Sequence, residues 1–268
     1  MSPGRKAWSR NVDVSPGDEG FPFPPWQRPR SEPKTRAVLS RDRIIEVALQ
    51  IIDAEGTEAV SMRRIATDLG TGAASLYAYV SGKDEVLTLA HELVIAGIDI
   101  PELKGDDWQE MVRVWAWQVY RLYARHQDIA RLSFAEIPTG PRSLDVTERL
   151  FGGMLRSGVP TELAGWLLDR LALYIGADAF EGWMLGRRFA ATDPEDRRSP
   201  EERGQEWLAG VRRYFGSLPR ERYPNLVDNL DAMMSGESGE RFGFGLEVLI
   251  EGVTSMAAKQ QAQPKSPS

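Results

Sequence analysis

Cysteine and histidine, two residue types that often perform catalysis or bind metals, are nearly absent from this chain. It contains no cysteine and two histidines, His91 and His126. Without cysteine there is no thiol catalysis, no disulfide framework and no cysteine-based zinc site. The sequence also lacks a GxSxG motif that would supply a serine nucleophile. We therefore predict a cytoplasmic protein that is not an enzyme, with no catalytic residues, no metal and no cofactor.

A different chemistry, hydrogen bonding to phosphates and bases, is indicated by residues 62–79. Their pattern reads as a short helix, a tight turn containing Gly70 and Gly72, and a second short helix. Apolar side chains such as Leu76 hold the two helices together, and the outer face keeps small, polar and aromatic residues. Small side chains permit close approach to base edges, and hydroxyls donate to phosphate oxygens. The pattern favours a helix-turn-helix that binds DNA.

Further helices are needed to position this surface. Ser40 is a good N-cap for a first helix, whose apolar residues recur at helical spacing until Gly56. Ser61 caps the second helix, and a longer linking helix begins at Lys83. We expect a three-helix DNA-binding domain followed by this linking helix, and together they cover residues 37–97.

A family resemblance supports this interpretation. The DNA-binding signature of the tetracycline-repressor (TetR) family is similar to the run VSMRRIATDLGTGAASLYAYVSGKDEVL, and the similarity extends over residues 38–97. It implies that the turn and third helix contact bases and phosphates, that Lys83 contacts phosphate, and that Leu76 is buried. The DNA-binding residues implied in this way are Ser61, Arg63, Thr71, Gly72, Ala73, Ser75, Tyr77, Tyr79 and Lys83.

Net charge does not reveal a DNA-binding protein, because the chain carries −6 overall. Whether the chain can bind DNA depends instead on where its basic residues lie, and several of them lie near the predicted DNA-binding surface. Residues 1–36 are rich in proline, glycine, serine and arginine, and we expect a disordered tail there. This tail is either solvated without a role or an arm that adds phosphate contacts. Residues 261–268 are expected to be disordered as well.

The remainder, residues 98–260, alternates helical patterns with proline and glycine breaks and has almost no strand signal. The predicted fold class is all-α: the N-terminal helix-turn-helix domain plus a helical ligand-binding and dimerisation domain. No stretch approaches the ~20 uninterrupted apolar residues of a membrane helix, so no membrane association is predicted. The helices are expected near residues 107–125, 126–135, 143–157, 161–187, 203–216 and 241–259.

Two of these helices are candidates for a homodimer interface. Residues 163–186 are apolar on nearly every face, which predicts burial on two sides. The final helix is also apolar, with few charges. Two such helices from each chain would form a four-helix interface, and the alternative is a deeply buried helix in a monomer.

Aromatic residues on the helix near 107–125 indicate a small-molecule site. An aromatic-lined cavity with a few polar groups is typical of such sites, although the same residues could simply fill the core. Three polar residues of the helix near 161–187 share one face, and they either line the pocket or form an intersubunit network. The candidate ligand-binding residues are Trp115, Tyr120, Tyr123, Arg170, Tyr174 and Asp178.

The C-terminal part resembles the regulatory domain of the same family, and more narrowly its tetracycline-repressor branch. The resemblance rests on the order and spacing of segments such as PTGPRSLDVTERLFGGMLRSGVP and RFGFGLEVLIEGV. It implies a repressor that leaves double-stranded operator DNA when a small effector binds. The apolar helices add the expectation of a homodimer on a palindromic operator, and the aromatic helix adds that of a small apolar or aromatic effector. The alternatives are a DNA-binding dimer that senses nothing, and an enzyme that uses the aromatic cavity.

Overall fold

The computed structural model describes residues 39–99, 107–126, 128–134, 139–190 and 195–262. Within these ranges every regular element is a helix, which confirms the all-α prediction. The tail predicted over residues 1–36 lies outside the described residues, as do residues 263–268. None of the described helices combines the length and apolarity needed to cross a membrane.

The N-terminal helices follow the predicted caps. The Ser40 hydroxyl accepts a hydrogen bond from the backbone N–H of Arg43, and Ser61 does the same for Arg64. Gly56 ends the first helix at a φ of 91°, a backbone conformation that favours glycine. These helices are α1 Arg41–Glu55, α2 Met62–Asp68, α3 Ala73–Leu76 and α4 Lys83–Ile95, with a 3₁₀ turn at Thr57–Ala59 between α1 and α2.

The C-terminal part is built around one long helix, α7, which packs against α5, α6 and α11. Large side chains that α7 and α11 bury include Leu171, Ile175, Phe242 and Leu246. The helices of this part are α5 Trp108–Arg125, α6 Pro141–Arg156, α7 Thr161–Arg188, α8 Pro200–Gly216, α9 Pro224–Asp228, α10 Leu230–Met233 and α11 Ser238–Ala262.

Several boundaries differ from the prediction. The helix expected at 126–135 is only a 3₁₀ helix, Ile129–Ser133. The helix α8 begins at Pro200 because Ser199 and Glu202 form a capping box, in which each side chain accepts from the other's backbone N–H. The last helix starts three residues early and reaches Ala262, and the Gln261 side chain donates to the Gly158 carbonyl at 3.0 Å.

Candidate DNA interface and effector cavity

The predicted DNA-binding residues belong to α2 and its N-cap, the turn, α3 and the residues after it, and the start of α4. Each of them is exposed or half-buried, and Leu76 between them is fully buried, as its packing role requires. Tyr77 is 56% exposed although it is a large aromatic residue. An aromatic hydroxyl kept in solvent beside a short helix is available to donate to a phosphate oxygen.

The turn before α3 depends on Gly70, which has a φ of 64°. This left-handed conformation is strained for residues with a Cβ. The Gly70 N–H donates to the Thr67 carbonyl at 3.0 Å, and the Thr71 N–H donates to the Ala66 carbonyl at 2.9 Å. These bonds close the end of α2 and form the turn that leads into α3.

Ion pairs divide the basic residues of this surface into two groups. Arg64 is held by Glu55 at 2.7 Å and by Asp68 at 3.0 Å. For Arg63 and Lys83, the described part of the chain contains no ion-pair partner. Arg63 and Lys83 are therefore available to bind phosphates.

The start of α4 is braced against α1. Glu85 accepts from the N–H and hydroxyl of Ser81 and forms an ion pair with Arg41 at 2.6 Å. Hydrogen bonds from Ser81, with a smaller contribution from the Arg41 guanidinium, lower the pKa of Glu85 to about 2. Glu85 is thus charged at neutral pH and holds the α3–α4 junction in place.

A cavity of about 630 Å³ lies between α4, α5, α6, α7 and the segment around Ile129–Ser133. This volume suits a drug-sized organic molecule. Its walls are mostly apolar and aromatic, and each surrounding element contributes to them. Lining residues used below are Thr88, His91, Glu92, Ile95, Trp115, Tyr123, Phe134, Ser143, Val146, Phe151, Asp169 and Ala172.

Two polar pairs interrupt the apolar wall. His91 Nε2 lies 2.7 Å from the Tyr123 hydroxyl, and the Ser143 hydroxyl donates to Glu92. Burial lowers the pKa of His91 and raises the pKa of Tyr123 to about 12. Both side chains of the first pair are therefore neutral at neutral pH.

Two segments of the chain match known family domains. Residues 44–89 match the bacterial regulatory proteins of the tetR family. Residues 100–257, more than half of the chain, match the tetracyclin repressor-like C-terminal domain. The chain belongs to the TetR family. Family membership confirms the prediction of a DNA-binding transcriptional repressor and not an enzyme.

Individual TetR-family proteins are similar over most of the chain. The HTH-type transcriptional repressor DrrR1 of Streptomyces coeruleorubidus is 31% identical over 241 residues, which are 88% of this chain and 84% of DrrR1. The crystal structure of apo ActR from Streptomyces coelicolor has a TM-score of 0.72 and 33% identity, covering 84% of this chain and 99% of ActR. ActR in complex with actinorhodin has a TM-score of 0.71 and 35% identity, covering 82% and 97%.

The predicted ligand-binding residues of this TetR-family protein do not all lie at the cavity. Trp115 and Tyr123 line the cavity, and Tyr120, Arg170, Tyr174 and Asp178 do not. Along α7, Ala172 faces the cavity, and Tyr174 lies about 200° further round the helix. The shared face of the three polar α7 residues is therefore turned away from the cavity.

Tyr120 and Tyr174 belong instead to an aromatic cluster around Phe242 of α11. Tyr120 and Tyr174 both stack on Phe242, with ring centroids 4.2 Å and 5.4 Å away. The Tyr174 hydroxyl donates to the Phe242 carbonyl at 2.8 Å. Arg170 forms an ion pair with the adjacent Asp169. Burial raises the pKa of Asp178, and the negative charge of Glu181 adds a smaller contribution in the same direction. The cluster joins α5, α7 and α11.

Sequence reasoning missed the polar groups contributed by α4 and α6. Glu92 and Ser143 are not among the predicted ligand-binding residues, and His91 is named there only as one of the two histidines. One signal was available: Thr88, His91 and Ile95 follow the spacing of a single helix face. Nothing in the sequence indicated that this face would meet α6.

Proposed function

We propose that this TetR-family protein is a cytoplasmic homodimer that represses transcription from a palindromic operator and is released by a small apolar or aromatic effector. Residues 37–97 bind DNA and residues 98–260 sense the effector and form the dimer. The observation that carries the proposal is that α4 belongs to both sites. Lys83, one of the predicted DNA-binding residues, is at its start, and His91 and Ile95 near its end line the cavity.

The sharing of α4 supports a simple mechanism. Two recognition helices in a dimer must enter successive major grooves, about 34 Å apart. An effector that fills the cavity better when α4 is tilted favours a different separation of the two α3 helices. Effector binding then lowers operator affinity, because the ligand binds one state more tightly than the other.

Exposed apolar residues on α11 support the homodimer. Phe244 is 74% exposed and Val248 is 54% exposed in the single chain, one helical turn apart. Apolar side chains grouped on one face of an apolar helix indicate an interface. With α7, which also exposes Trp166 and Met184, this face would form the four-helix contact of the dimer.

The volume and walls of the cavity support an apolar or aromatic effector. Trp115, Phe134 and Phe151 line a space of about 630 Å³, which is larger than a packing defect. A related protein, ActR, has been solved in complex with actinorhodin and with (S)-DNPA. We extend ligand binding by analogy to this chain and do not assign it the same ligand.

The test is operator release by added compounds, with a variant that fills the cavity. Actinorhodin and a panel of planar aromatic compounds are titrated into the protein bound to a fluorescent operator, and release is followed by anisotropy. Val146→Trp should bind the operator normally and require at least tenfold more compound for release. Asp145→Trp, at an exposed neighbouring position of α6 outside the cavity lining, is the matched control.

Mass spectrometry of the native protein under non-denaturing conditions complements this test by detecting a metabolite that remains bound after purification. If no compound releases the protein and no metabolite is retained, the alternative is favoured, namely a DNA-binding dimer that does not sense ligands. If Val146→Trp and Asp145→Trp respond identically, the cavity is not the effector site.

A further inference from the structure

The charged side chains that line the cavity are acidic. Among its described lining residues there is no lysine or arginine, and the ionisable carboxylates are Glu92 and Asp169. The Asp169 side chain is 60% exposed and forms an ion pair with Arg170 at 2.5 Å, so its charge is offset at the rim. Glu92 is therefore the carboxylate whose charge a bound molecule would meet.

Hydrogen bonds satisfy only part of the Glu92 carboxylate. One oxygen accepts from the Ser143 hydroxyl, and Ser143 is itself buried. The other, Oε2, is shielded from solvent and has no hydrogen-bond partner in the described part of the chain. A carboxylate oxygen kept from water without a donor is unfavourable, and a positive charge placed in the cavity beside Glu92 would stabilise the carboxylate.

The surroundings of Glu92 leave room for its carboxylate and do not neutralise it. A Cβ on Gly140 would overlap the Glu92 carboxyl group, so the glycine allows the carboxylate to sit against the backbone. The adjacent His91 is not a counter-ion, because burial lowers its pKa and keeps the imidazole neutral at neutral pH. Tyr123, hydrogen-bonded to His91, is neutral as well.

Aromatic rings complete the environment that a cation would meet. Trp115, Tyr123, Phe134 and Phe151 line the same cavity. The faces of aromatic rings attract cations, most strongly when water is excluded, and they also stack on planar ligands. A half-buried carboxylate within an aromatic wall is suited to a flat molecule that carries a positive charge.

We propose that the effector of this protein is a planar aromatic compound with a protonated amine, which Glu92 recognises by the attraction between the two charges. This inference rests on the proposed function, since it names the chemical class of ligand that the sensor takes. Glu92 is the residue that determines specificity, and the aromatic rings supply most of the contact area.

The test uses three probes of one shape and different charge: protonated 9-aminoacridine, neutral acridine and anionic acridine-9-carboxylate, all at pH 7.5. Binding to the full-length protein is measured by equilibrium dialysis without DNA, because acridines intercalate. The native protein should bind the cation at least tenfold more tightly than acridine, and the carboxylate most weakly. In Glu92→Gln, affinity for the cation should fall at least fivefold, and affinity for acridine should change less than twofold.

Glu162→Gln is the matched control, since it removes a carboxylate from an exposed position of α7 outside the cavity lining. It should leave all three affinities within twofold of the native values, and thermal unfolding by circular dichroism verifies that both variants fold. Equal affinities for the three probes, a full cation preference in Glu92→Gln, or no binding at millimolar probe would each overturn the inference.

Failure of this inference and failure of the proposed function can be told apart. If the native protein binds the neutral or anionic probe best and actinorhodin still releases the operator, the cavity senses ligands but Glu92 does not select cations. If the cation binds through Glu92 and no compound changes operator affinity, the specificity stands and ligand-controlled release fails.

Discussion

Asp128 accepts two hydrogen bonds from Thr57, one from its backbone N–H and one from its hydroxyl, both at 2.8 Å. Asp128 is only 2% exposed. Thr57 lies in the turn that follows α1, whereas Asp128 immediately precedes the 3₁₀ helix Ile129–Ser133, whose end lines the cavity. A second connection between the two functional regions thus exists beside α4.

Breaking this connection should weaken both stability and signalling. Asp128→Ala leaves two buried donors of Thr57 unpaired, each costing about 1–3 kcal/mol. Urea unfolding should show this loss, and an effector that releases the native protein should release the variant less completely. Thr57→Val is the control, because it keeps the N–H donor and should lose only part of the stability. If Asp128→Ala responds to effector as the native protein does, the connection does not transmit the signal.

Lys83→Ala should weaken operator binding without affecting folding. Lys83 lies at the start of α4 beside the recognition helix and has no ion-pair partner within the described ranges. Loss of one phosphate contact should reduce the slope of log affinity against log salt by about one. Tyr77→Phe should also lower affinity, with little change in slope. Lys259→Ala, in the last turn of α11, should change neither, and an unaltered slope for Lys83→Ala would argue against a phosphate contact.

Replacing an aromatic side chain that lines the cavity by alanine should cost less stability than the same replacement in the core. Phe242 is fully buried within the aromatic cluster, and Phe242→Ala should lower the free energy of unfolding by about 3–5 kcal/mol. Trp115 borders an open space, so Trp115→Ala should lose less than about 3 kcal/mol and shift the effector concentration needed for release. Guanidinium unfolding compares the two variants, and equal losses would indicate that Trp115 is part of a packed core.

A charge on the exposed apolar face of α11 should prevent dimerisation. We expect the native protein to have the mass of a dimer by light scattering at micromolar concentration. Val248→Glu should give a monomer or a strongly weakened dimer, since it would bury a charge at the proposed interface. Val248→Met keeps the position apolar and should remain dimeric. A native monomer, or a fully dimeric Val248→Glu, would contradict the proposed interface.

The buried His91 should make stability depend on pH. Burial lowers the pKa of His91 below its ordinary value of 6.5, although the charge of Glu92 acts in the opposite direction. Below about pH 6.5 the unfolded chain therefore binds more protons than the folded one, so folding stability falls as pH decreases. Urea unfolding between about pH 7.5 and 5.5 should show a smaller decrease for His91→Gln than for the native protein. Parallel decreases would show that His91 makes no contribution.

The N-terminal DNA-binding domain could be predicted from the sequence because its structure depends on short-range interactions. Ser40 and Ser61 each cap a helix through a bond to a residue three positions later. Gly56 and Gly70 each provide a backbone conformation that other residues avoid. Such interactions are contained within one turn of chain, and the neighbouring residues therefore determine them.

The cavity, by contrast, was decided by the tertiary structure. Periodicity correctly placed Arg170, Tyr174 and Asp178 on one face of α7, but the structure turns this face away from the cavity and brings Tyr174 against α11. Glu92 and Ser143 meet across 51 positions of sequence. Helical spacing determines which side chains share a face, whereas the packing of whole helices determines which neighbour that face meets, and only the second can assemble a cavity.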